Sequence, residues 1–167
     1  MSYWTQQVNG LWDEWIAETG QESGNPAEFI EWVTASKRLT LGPQDMKQIL
    51  RAKVTQALRQ ARRYDEDGGF TYRSKQSVTL FEGGLPIKHY FDTDKGGTST
   101  LRQKATKQRR EDIAHDVYRG AWDVERMNKT FPDDPQLSFP LDFTDDVAEL
   151  RAAEWLDHER DDDDDKS

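Results

Sequence analysis

Cysteine is missing from all 167 residues. Its absence excludes disulfides, thiolate nucleophiles and cysteine-based zinc sites. Histidine is nearly missing, with three copies, which leaves little for imidazole chemistry. No apolar run approaches the roughly 20 residues that cross a bilayer, so no membrane partner is expected. The opening MSYWTQQVNGLWDEW has neither the basic start nor the continuous apolar stretch of a signal peptide. The cytoplasm is therefore the expected compartment. A further absence is local: residues 1–34 hold six acids and no Lys or Arg.

What is present follows from that last absence. Residues 35–110 carry seventeen Lys/Arg against seven Asp/Glu. Residues 111–140 have a net charge of −4, residues 141–167 of −9, and the whole chain of −9. The average hides a basic middle between acidic ends. Such a middle suits an anionic partner, and acidic flanks can compete with that partner. Hydrophobic residues make up 34% and charged residues 33%, so the core must be small. Six Trp, five Tyr and seven Phe argue against disorder, because each large ring buries much area.

Periodicity sets out the elements. Trp4, Val8, Leu11, Trp12, Trp15 and Ile16 share one face of a helix. Asn25-Pro26 caps and starts a second helix, which ends near Lys37. Pro43 opens a third, predicted to reach Tyr64, with Met46, Ile49, Leu50, Val54, Ala57, Leu58 and Ala61 as its apolar stripe. Asp65 to Gly69 is a turn. Alternation then predicts a β-hairpin over 70–91, turning at Glu82-Gly83-Gly84-Leu85. Thr98 or Ser99 caps a long fourth helix running to about Asn128, whose second half offers Ile113, Val117, Tyr118, Ala121, Trp122 and Val124 to a core. LSFPLDF at 137–143 alternates like a strand, and Pro140 places it at a sheet edge. Thr144 caps a final helix. The predicted fold class is α+β, with about five helices, a hairpin and one edge strand in a small antiparallel sheet. One compact domain is expected over 1–158, followed by a disordered acidic tail over 159–167. Asp162–Lys166 matches the cleavage sequence of enteropeptidase, the mark of an engineered tail. Asp157, Glu159 and Arg160 lead into it without a break, the mark of a native one.

Two regions concentrate candidate anion contacts. At the start of the fourth helix, Ser99, Arg102, Lys104, Lys107, Arg109 and Arg110 stand where the helix dipole favours acids. Cations there cost helix stability unless an anion joins them and the free N–H groups. The plainer reading is a solvated helix face neutralised by acids elsewhere. The second region is the third helix, with Lys47, Arg51, Arg59, Arg62 and Arg63 on one flank, and the hairpin behind it. Helix, helix, short connection, helix and hairpin follow one another over residues 4–91. In that order the chain resembles winged-helix DNA-binding domains. The resemblance implies that the third helix enters the major groove with Lys47, Arg51, Arg59 and Arg62. It also implies that the hairpin is a wing bringing Arg73, Lys75 and Lys88 to the nucleic-acid backbone. This helix is longer than a usual recognition helix, and the turn at 82–85 has no base at its tip.

The other constellations carry less. Glu111–His115 and Glu154–His158 have i, i+4 spacing, but no remaining metal ligands stand at matching positions, so surface pairs are expected. His89 is expected in the core. Trp4, Trp12, Trp15 and Trp32 could stack on bases, yet they fall on the apolar faces. Trp4 is the one placed to reach a partner. No triad, carboxylate dyad or phosphate loop stands out. The expected protein is non-catalytic and needs no cofactor. It binds nucleic acid, DNA or RNA, as a small accessory or regulatory protein whose acidic tail competes for the same surface. The alternative is a protein-interaction module or self-associating homodimer.

Overall fold

The computed structural model describes the backbone of residues 3–164 and the side chains of residues 3–155. Its elements are α1 (Tyr3–Thr19), α2 (Pro26–Ala35), α3 (Pro43–Gln60), β1 (Arg62–Asp65), β2 (Phe70–Arg73), β3 (Lys75–Glu82), β4 (Leu85–Asp92), α4 (Ser99–Thr130) and α5 (Thr144–Asp164). The α+β class with five helices and a small antiparallel β portion is as the periodicity predicts. Packing divides the chain into two compact units, Met1–Lys53 and Val54–Ser167, where the sequence is read as one domain over 1–158.

The first unit is built on aromatic packing between α1 and α2. Trp15, Phe29 and Val33 are buried, with Val8, Leu11, Trp12, Ile16, Trp32 and Leu39 packed around them. Trp12 meets both Trp15 and Phe29 edge-on at 5.1 Å between ring centroids, the arrangement that ring quadrupoles favour. The α2 start is as expected: Asn25 Oδ1 accepts from Ala27 N at 2.9 Å. Gly24 lies so close to the cluster that an added Cβ would stand 2.4 Å from the Trp15 ring. Arg38 closes the unit by lying 4.8 Å over the Trp32 ring and pairing with Glu14 at 2.8 Å. The stripe on α3 does not join a core. Met46, Leu50 and Val54 are more than half exposed, and α3 buries no side chain among the described residues.

In the second unit the strands form two hairpins. β1 pairs with β2, Arg62 opposite Arg73, and β3 pairs with β4, Val78 opposite His89. The third helix therefore stops at Gln60 and not at Tyr64. Asp65 reshapes the chain after it: its side chain accepts from Gly68 N at 3.0 Å and its carbonyl from Gly69 N at 2.8 Å, with Gly69 at φ +67°. That turn folds Phe70–Arg73 back onto Arg62–Asp65, and the ladder outweighs helical continuation. The turn at Gly83-Gly84 is the predicted one, with both glycines at positive φ. Buried Ser74 joins the hairpins, donating from its N–H to Ala61 O at 2.9 Å and accepting from Thr93 N at 3.0 Å.

Helix α4 packs on β3 around Val78 and Ala105, both buried. Thr98 is its cap, accepting from Leu101 N at 3.2 Å. Gln108 then does a strand's work. Its Oε1 accepts from Thr79 N at 2.7 Å and its Nε2 donates to Thr79 O at 3.0 Å, filling the open edge of β3. Asn128 does the same for Leu137, with bonds of 2.9 and 3.0 Å. The predicted edge strand at 137–143 is thus absent: the segment forms no ladder, Asn128 takes both backbone groups of Leu137, and Phe139 lies against Gly120. Ile113, Tyr118 and Trp122, expected in a core, are exposed, while Val117, Ala121 and Val124 are half-buried. Helix α5 meets β2, its Glu154 accepting from Thr71 N at 2.7 Å and Trp155 covering Gly69. It continues to Asp164, into the segment expected to be a disordered tail. The side chains of that segment, and of His158, lie outside the described residues.

Replacing Gln108 with Leu leaves the Thr79 donor and acceptor open at a partly buried edge. A loss of about 1–3 kcal/mol in urea unfolding is expected, with Lys104→Gln, at an exposed position of α4, within about 0.5 kcal/mol of the parent.

Candidate nucleic-acid interface

The basic residues of the second unit separate into a neutralised set and an open set, and strand alternation decides which is which. Arg63 and Tyr72 are opposed in the β1–β2 ladder, and both reach carboxylates. The Arg63 guanidinium grips Asp92 through two bonds of 2.8 and 2.6 Å and also reaches Asp94. Tyr72 donates to Asp94 at 3.0 Å. Lys75 adds a contact to Asp92 at 2.9 Å. Asp92 Oδ1 further accepts from Asp94 N and Lys95 N. Hydrogen bonds from Arg63 and then Lys75 hold the Asp92 carboxyl far below the usual carboxylate range, and the same bonds raise Arg63. Arg63 and Lys75, both candidate anion contacts by sequence, are therefore occupied inside the protein.

The next positions along the same strands face the other way. Arg62 and Arg73 stand directly opposite each other, and like charges so placed are destabilising. Arg73 is half-buried. Burial first, and then Arg109, Arg62 and Arg59, push its pKa down. Among the described residues no carboxylate pairs with Arg59, Arg62, Arg73 or Arg109. Arg62 turns one nitrogen back to the carbonyls of Arg59 and Ala61, so it also closes the end of α3. Arg62, a helix residue by periodicity, lies on β1.

The start of α4 differs from its sequence reading. Arg102 donates to Gly97 O at 2.7 Å and Gly96 O at 3.3 Å, closing the loop and not the helix start. Ser99 accepts from Gln103. Lys107 stands 3.9 Å from Glu111, a loose pair on the helix surface. Ser99, Arg102, Gln103, Thr106, Lys107 and Arg110 line one shallow outer face. Lys88 and Arg109 line a small cleft of about 250 Å³ with Ser77, Thr79, Gln108, Glu111 and Asp112. Lys104 is exposed on α4. Lys47 and Arg51 belong to the first unit and are exposed on α3.

Sequence reasoning missed Asp92, Asp94 and Gln108. A signal for the first two existed: acids are scarce in 35–110, and two of the seven sit together here. His89 is half-buried with Nε2 2.8 Å from Glu82. Trp12, Trp15 and Trp32 pack in the first unit, as their periodicity predicts. No family model, no curated protein and no solved structure matches this chain. The likeness to winged-helix domains rests on element order alone. No helix among the described residues is long and apolar enough to cross a membrane.

Because the folded pKa of Asp92 is depressed, its contribution to stability is present above the unfolded value near 3.9 and is lost as pH falls below it. Asp92→Asn is expected to lower the urea midpoint at pH 7, and the gap from the parent should narrow steadily in acid below about pH 4. An equal gap at both pH values would show that the ion network is not its source.

Proposed function

We propose that this chain is a small non-catalytic nucleic-acid-binding protein, acting in the cytoplasm as an accessory or regulatory factor. The observation that carries this reading is the open set of cations on the second unit. Among the described residues Arg59, Arg62, Arg73 and Arg109 form no ion pair, and Arg62 and Arg73 stand opposite each other in the ladder, while Asp92 and Asp94 are taken up by Arg63 and Lys75. Lys88 on β4 and Lys104 and Arg110 on α4 are exposed and add to the positive charge of the unit. A polyanion removes the mutual repulsion of such groups and releases its own counterions on binding. The acidic run near the C-terminus acts as an internal competitor that lowers non-specific affinity.

A second reading has its own support. Met46, Leu50 and Val54 on α3, and Tyr118 and Trp122 on α4, leave large apolar side chains in water, which marks interaction surfaces. In that reading the protein is an adaptor or homodimer.

Mobility shifts with mixed DNA and RNA separate the two. Nucleic-acid binding through about four phosphate contacts predicts an affinity that falls about 100-fold between 50 and 200 mM salt. No shift at the lower salt would end the nucleic-acid reading in favour of the adaptor. Removing residues 158–167 is expected to tighten binding several-fold and to flatten no part of the salt slope. Unchanged affinity would remove the competitor role.

A further inference from the structure

We infer that the chain self-associates through α4, a second copy laying its own α4 antiparallel along residues 111–129. The inference rests on the homodimer reading, to which it gives a face, an orientation and a register. It is independent of nucleic-acid binding.

The face is written in the spacing. Glu111, His115, Tyr118, Trp122, Glu125 and Lys129 follow one another at intervals of 4, 3, 4, 3 and 4 residues, the 3.5-residue period of a coiled-coil seam. All six are exposed, and Tyr118 and Trp122 keep 60% and 51% of their surface. Those two rings meet edge-on at 6.1 Å between centroids, so they present one ordered apolar patch. Other faces of the helix are already in use. Ala105 and Gln108 serve β3, and Gly120 and Asn128 are met by Phe139 and Leu137.

Charge selects the occupant. A second α4 turned end for end about the middle of the Tyr118–Trp122 step sets Glu111 opposite the partner's Lys129. It sets His115 opposite the partner's Glu125 and Tyr118 opposite the partner's Trp122. Two-fold symmetry repeats each layer. The outer layers join carboxylate to ammonium, the next join an imidazole N–H to a carboxylate, and the central ones join ring to ring. Within the helix Glu111 stands 3.9 Å from Lys107, and Glu125 2.8 Å from Lys129, so the outer layers extend pairs that already exist. A parallel copy would set Glu111, Glu125 and Lys129 each against itself, and such like-charge layers oppose assembly. The seam from Glu111 to Lys129 rises about 27 Å. Half-exposed rings at its centre place it among the weak, reversible interfaces of less than about 1,200 Å², with association in the micromolar range.

Sedimentation velocity of the full chain from about 1 μM to about 1 mM reads the equilibrium. The parent is expected to pass from monomer to dimer across that span. Trp122→Glu, at an exposed position, should stay monomeric with unchanged helical circular dichroism. Glu111→Lys and Lys129→Glu should each weaken association about tenfold or more. The two together restore opposite charges across the axis and should return the affinity to within about threefold of the parent. Should Trp122→Glu fail to fold, the charge series carries the test alone. A parent that is monomeric at every concentration overturns the inference and leaves the adaptor and nucleic-acid readings standing. A dimer that survives Trp122→Glu and both single charge changes uses another face; it overturns this one and keeps the homodimer reading. Loss in the single variants without recovery in the double overturns the antiparallel register.

Discussion

The second unit turns on one carboxylate. Asp92 ends β4, yet it receives Arg63 from β1, Lys75 from β3 and two backbone donors from the loop that follows. Two hairpins that share no ladder are thereby tied at one corner, with Ser74 supplying the backbone link between them. Isolated two-stranded hairpins are marginal in water, so this corner and the α4 packing are what make the pair persist. The same interaction sorts the cations. By drawing in Arg63 and Lys75 it leaves Arg62 and Arg73 without a carboxylate partner among the described residues.

Helix α4 organises the rest through amides more than through oil. The buried apolar contribution in this unit is small, Val78 and Ala105 among the described residues. Gln108 and Asn128 each present a donor and an acceptor to one backbone residue. Such paired bonds satisfy groups that would otherwise be costly to leave half-desolvated. They also set the rotation of α4. With Gln108 turned to β3, Arg109 lines the cleft with Lys88, Glu111 and Asp112, and Arg102, Thr106 and Arg110 line the outer face.

Much of this was legible in the chain. The aromatic periodicity of 4–16, the Asn25-Pro26 cap, the Gly83-Gly84 turn and the Thr98 start of α4 are local signals, and each is found where the residues place it. The limits of local reasoning show at Arg62–Tyr64 and at 137–143. The first continues a helical stripe and is pulled into a strand by a turn and a partner downstream. The second alternates like a strand and finds an asparagine in place of an edge. In both, the decision belongs to hydrogen-bond partners that lie far along the chain. The candidate site divides in the same way. Which residues are basic is plain from the sequence, but Arg63 and Lys75 are indistinguishable there from Arg62 and Arg73.

The sequence by itself determined the charge layout, the lack of thiol chemistry, the helices and the tight turns, because composition and short-range periodicity act without knowledge of the fold. Tertiary structure alone decided which cations are spent internally and which stay open. The reason is pleating: neighbours on a strand face opposite ways, and only the placement of Asp92 and Asp94 tells which way meets an acid.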